Sequence, residues 1–157
     1  MFLNGTLFNS EAWQGISSVE EEHLERVDEA LLRGLLKAHS KIPIEALHLE
    51  SGTISIRYIL KNRRLCYLYT ILKKEEEELV REIYDAQKSN PSEGDFCKLV
   101  EKDASDIGIK IIENEILTMK EERFKDNIKN KVRIAALKNL LKQKDSHSKM
   151  DNLSYKS

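Results

Sequence analysis

The sequence predicts an all-α fold, an irregular helical domain of about five to seven helices with a short β element at its N-terminus. Three observations predict it. Ser18-x-x-Glu21 has the form of a capping box, and Leu24, Val27, Leu31, Leu32, Leu35 and Leu36 follow it at helical spacing. Phe124, Ile128, Val132, Ala136 and Leu140 recur every four residues, the signature of a long amphipathic helix. Only 6 Gly and 2 Pro interrupt 157 residues that are 40% apolar, which suits a single core rather than a low-complexity chain.

The elements follow in order. Phe2-Leu3 and Leu7-Phe8 around Asn4-Gly5 read as a strand or hairpin remnant over residues 1–16, with Trp13 packing on Phe8 and Leu24. The first helix is expected over about residues 18–38. Pro43 suits the first position of a short second helix that Gly52 ends. A third helix, from about Ile54 to Lys74, is apolar on most of its circumference, the pattern of a helix held between neighbours. Glu75 to Glu78 read as the dipole-compensating start of a fourth helix reaching about Lys88. After the turn formers Asn90-Pro91-Ser92-Glu93-Gly94, Asp95 is placed to cap a short helix through Val100. Beyond Gly108 runs the long helix, with a bend near Met119–Glu122. The helical domain is thus expected over 17–144, and the polar residues 145–157 as a disordered tail.

A net charge of -1 conceals four blocks. Residues 1–52 carry -5, residues 53–74 carry +6, residues 75–106 carry -7 and residues 107–157 carry +5. Such alternation suits blocks that pack on one another, or basic surfaces that face a polyanion. No run approaches a membrane span, and Met1-Phe2-Leu3-Asn4 lacks the basic start of a secretion signal. Two cysteines, Cys66 and Cys97, make no disulfide scaffold, so an intracellular site, nuclear or cytoplasmic, is expected. There is no Gly-rich phosphate loop, His-Glu-x-x-His or Gly-x-Ser-x-Gly pattern. His48, Cys66 and Cys97 are better read as packed side chains than as zinc ligands. No catalytic residue, metal or cofactor is expected.

Several segments together resemble the region downstream of the polymerase domain in non-LTR (LINE-type) retrotransposon reverse transcriptases. They are Phe8-Asn9-Ser10-Glu11-Ala12-Trp13, Leu24-Glu25-Arg26-Val27-Asp28-Glu29, Pro43-Ile44-Glu45-Ala46-Leu47-His48-Leu49-Glu50-Ser51-Gly52 and Ile54-Ser55-Ile56-Arg57-Tyr58. Leu31-Leu32-Arg33, Arg63-Arg64-Leu65 with Tyr67-Leu68, Gly94-Asp95-Phe96-Cys97 with Leu99-Val100 and Asp103, and His147-Ser148-Lys149 complete a likeness covering about residues 8–150. The family's Mg²⁺-holding Asp motifs are not in this chain. The resemblance therefore implies a non-catalytic fragment whose partner is the remainder of a reverse transcriptase polyprotein, with no membrane partner. Its parent would be an RNA-directed DNA polymerase, and the fragment would help to hold RNA or an RNA–DNA duplex by its backbone.

Two basic stripes are the candidates for that contact. Arg57, Lys61 and Arg64 share one face of the third helix. Lys125, Lys129 and Arg133 share a face of the long helix away from its apolar seam, and this stripe is expected to be the more exposed. On the alternative reading the chain is a structural or protein-interaction domain. Arg57, Lys61 and Arg64 then neutralise acidic neighbours such as Glu75 to Glu78.

Overall fold

The computed structural model describes Leu7, Asn9, Ser10 and residues 16–154, with the backbone alone at Ser18 and at 144–154. Seven helices lie among the described residues, and no strand does. The expected N-terminal hairpin and the Trp13 contact fall almost wholly outside them.

Helix α1 spans Ser18–Leu36. Its capping box is formed one residue earlier than the sequence suggests. The Ser17 N–H donates to Glu20 Oε2 at 2.8 Å, and the Glu20 N–H donates to Ser17 Oγ at 3.3 Å. Both registers offer a Ser followed three residues later by a Glu, but Glu21 is engaged by Arg57 Nε at 2.7 Å. A long-range ion pair thus decides between two equally good local caps. Helix α2, Ile44–Ser51, starts after Pro43 and ends at Gly52, whose φ of 66° a side chain would resist.

Helix α3, Ile56–Leu72, is the axis of the molecule. Ile56, Leu60, Leu65, Leu68, Tyr69, Ile71 and Leu72 are all buried, on more than half of its circumference. It packs against α1 and against every helix that follows it: α4 (Leu79–Ser89), α5 (Phe96–Asp106), α6 (Glu113–Thr118) and α7 (Glu121–Ser154). Helix α4 begins four residues later than expected. Glu75 to Glu78 form a turn in which Glu78 accepts from the Glu75 N–H and pairs with Lys74 at 2.9 Å.

The seam Phe124, Ile128, Val132, Ala136 and Leu140 is buried throughout, so the period-four reading of α7 holds residue by residue. Phe124 stacks on Tyr69 with ring centroids 5.3 Å apart. The bend expected near Met119 is a complete break, with Met119 extended between α6 and α7. The end of α3 holds it open, because the Tyr69 hydroxyl donates to the Met119 carbonyl at 3.0 Å and Lys73 Nζ to the Leu117 carbonyl at 2.6 Å. These carbonyls would otherwise be left orphaned at the break.

The backbone of α7 is helical to Ser154, well past the point where the composition turns polar. No Gly or Pro follows Gly108, so nothing in the chain chemistry stops the helix once it has been started. A second, smaller cluster of Leu7, Ile56 and Leu60 lies at the other end of α3. Arg63 fastens the N-terminal segment there by donating to the Leu7 carbonyl and to Ser10 Oγ.

Candidate functional site

The two basic stripes meet different fates. On α3, every cation of the stripe is matched. Arg57 Nε lies 2.7 Å from Glu21 Oε1, and the Arg57 backbone N–H donates to Glu25 at 3.1 Å. Arg64 Nε donates to Asp103 Oδ2 at 2.7 Å, with both side chains at least 90% buried. Lys61 reaches Asp106 and lies 3.7 Å from Asp103 Oδ1.

The neutralising carboxylates come from α1 and α5, and not from Glu75 to Glu78. The geometry of α3 explains this. At a rise of about 1.5 Å per residue, Arg57 stands about 20 Å from the end of the helix that precedes Glu75. The neighbours on its flank are α1 and α5. A buried arginine fixed by a buried aspartate is unavailable to a phosphate.

On α7, Lys125 pairs with Glu121 at 2.5 Å, one turn away. Lys129 and Arg133 are exposed and have no carboxylate partner among the described residues. They stand at the edge of a cavity of about 470 Å³ between α1, the turn after α2, α3 and α7. Leu31, Leu32, Leu35, Ile54, Ile59 and Val132 wall it. Three cations expected to act together are therefore reduced to two, set beside an apolar recess that the sequence does not announce.

That recess also touches a buried polar cluster that sequence reasoning missed. Asp28 and His48 are 4% and 2% exposed, and His48 Nε2 lies 3.7 Å from Asp28 Oδ2. This is too long for a hydrogen bond, and Asp28 Oδ2 has no hydrogen-bond partner among the described residues. On the other side of the ring, His48 Nδ1 is 2.9 Å from Thr53 Oγ1, which in turn lies 2.7 Å from Ser51 Oγ. Burial, reinforced by the charge of Glu25, lifts the Asp28 carboxyl from 3.8 to about 6. Burial also lowers the His48 pKa, against the pull of Glu25 and Glu45.

The two groups oppose one another in pH. Between about pH 4 and 6 the folded chain keeps a proton on Asp28 that the unfolded chain has released, so acidification across this window stabilises the fold. Above it, the buried carboxylate costs about 3 kcal/mol, the equivalent of its displacement. His48 acts in the other direction, since below about pH 6.5 the unfolded chain gains a proton that the folded ring refuses. Asp28→Asn is therefore expected to raise stability at pH 7.5 by about 1–3 kcal/mol. It should also lose more stability than the wild type on acidification to pH 5. Urea unfolding at the two pH values checks this, and an unchanged midpoint at pH 7.5 would refute the cost assigned to Asp28.

Among the described residues no group of His, Cys, Asp and Glu is placed to hold a metal ion, and no helix is long and apolar enough to cross a membrane. Cys97 is buried and Cys66 half-buried, and burial raises both thiols. No family model matches the sequence, and neither a curated protein nor a solved structure does.

Proposed function

We propose that this chain is a non-catalytic helical binding module, similar to the region downstream of the polymerase domain in non-LTR reverse transcriptases. Its α7 surface holds the backbone of RNA or of an RNA–DNA duplex for a parent RNA-directed DNA polymerase. One observation carries the reading. Lys129 and Arg133 are exposed cations without carboxylate partners among the described residues, whereas Lys61 and Arg64 are buried with their carboxylates and Arg57, though exposed, is paired with Glu21. A phosphate arriving at α7 displaces no internal ion pair at these two positions, and one arriving at α3 would have to break several.

Binding of this kind is indifferent to sequence and weakens steeply with salt, because each phosphate contact releases a condensed counterion. In a mobility-shift titration on an RNA–DNA duplex, Lys129→Glu/Arg133→Glu is expected to bind more weakly than the wild type. Its salt slope should be smaller by about two, one for each lost contact. Equal binding by the two proteins would reject α7 as the contact surface.

A second reading, a protein-interaction domain without nucleic-acid binding, is favoured by the recess beside Lys129. Its leucine and isoleucine walls suit a side chain better than a phosphate. Failure of both proteins to shift the duplex would decide for that reading.

A further inference from the structure

Two helices leave an apolar face in solvent, and the two faces are alike in size and opposite in charge. On α4, Tyr84 is buried against the core, which turns Leu79, Val80 and Ile83 outward with 69%, 40% and 48% of their surface exposed. Ala86 continues this face one turn on. Exposed carboxylates border it, from Glu75 to Glu77 in the preceding turn and Glu82 in the helix. On α7, Ile134, Leu137 and Leu141 lie opposite the buried seam and are 50%, 38% and 53% exposed. Lys131 and Lys138 flank this second stripe, both exposed and neither paired with a carboxylate among the described residues.

The stripes match in length. Leu79 to Ala86 and Ile134 to Leu141 each span two helical turns, about 10 Å at the standard rise. Their spacings, i, i+4, i+7 and i, i+3, i+7, are those by which the ridges of one helix enter the grooves of another. Within one chain both stripes are exposed, so neither covers the other. Either alone is a modest apolar patch. Facing each other, each would remove the other from water and bring Glu82 and the Glu75 to Glu77 turn toward Lys131 and Lys138.

We propose that the outer face of α7 is the docking surface for α4 of a second copy of this chain. The contact joins two different patches and is therefore head-to-tail. It leaves one free α4 face and one free α7 face in every open pair, so that association grows with concentration into longer assemblies or closes into a ring. Arg133 stands one turn before Leu137 at the edge of this stripe, with Lys129 further from it, so association is tested in the absence of nucleic acid.

Sedimentation velocity on the full chain tests it. The wild type is expected to sediment as species heavier than the 18.2 kDa monomer, in proportions that rise with concentration. Ile83→Glu and Leu137→Glu each place a charge in one stripe at an exposed position, and circular dichroism verifies that both variants remain folded. Each variant alone should be monomeric. Mixed in equal amounts they should form a dimer and nothing larger, because the mixture contains one intact α4 face and one intact α7 face. Lys131→Glu/Lys138→Glu should weaken association about threefold to tenfold, the worth of a few partly exposed ion pairs. A wild type that stays monomeric at high concentration overturns the proposal and leaves the stripes to a different protein. A mixture of the two glutamate variants that stays monomeric, or single variants that associate like the wild type, overturns it as well.

Discussion

Asp103→Ala is expected to destabilise the protein by about 3–5 kcal/mol, the usual result of removing one partner of a buried ion pair. The residue is 3% exposed and is the shared anion of two cations on α3, Arg64 at 2.7 Å and Lys61 at 3.7 Å. Without it, the Arg64 guanidinium stays largely buried at the interface between α3 and α5 with no close counter-charge. Lys61 retains Asp106, so Arg64 bears most of the loss. Urea unfolding measures the effect. The double replacement Arg64→Leu/Asp103→Leu should recover most of the stability, since an apolar pair of similar volume removes both desolvation penalties at once. A loss below about 1 kcal/mol for Asp103→Ala, the range of an exposed pair, would show that the pair is solvated.

Leu68→Ala is expected to cost about 2–5 kcal/mol, with the upper half favoured by the location. Leu68 is completely buried in the main cluster, where Phe96, Val100, Ile116, Phe124, Ile128 and Val132 of the later helices also meet. A cavity opened there borders several helices, none of which can relax inward without disturbing another. Leu31→Ala makes the internal comparison. The helical spacing of α1 places Leu31 with the core, but it is only half-buried on the wall of the recess, and Leu32 takes the buried position. Its replacement should cost clearly less than that of Leu68 in the same unfolding assay.

What was legible in the sequence follows the range of the interactions involved. The seam of α7 is a period of four along one helix, and each of its residues is buried as the spacing requires. The burial of α3 is likewise visible, because a helix apolar nearly all round has no stable alternative. The register of the first cap is not visible. Ser17-Glu20 and Ser18-Glu21 are equivalent until Arg57, far along the chain, engages Glu21.

The same limit governs the basic stripe of α3. Its presence can be read from the spacing of Arg57, Lys61 and Arg64, but its partners depend on which helices pack beside it. The Asp28–His48 contact joins α1 to α2 through two residues that are unremarkable one at a time. Ile134, Leu137 and Leu141 were in plain view. One apolar seam already accounts for α7 as a helix, and a second apolar face makes sense only with something to cover it.

The central position of α3 also orders the birth of the fold. Synthesis proceeds from the N-terminus, and domains fold as units when their parts are present. The groups that bury Leu65, Leu68 and Leu72 include Phe124, Ile128 and Val132, separated from α3 in the chain by the whole of α4, α5 and α6. Until α7 has left the ribosome, α3 has only part of its covering and exposes leucines to every other nascent chain. This is the interval in which a chaperone has most to hold. A chain cut before Glu121 is accordingly an unfinished domain, and its exposed core marks it for aggregation or proteolysis.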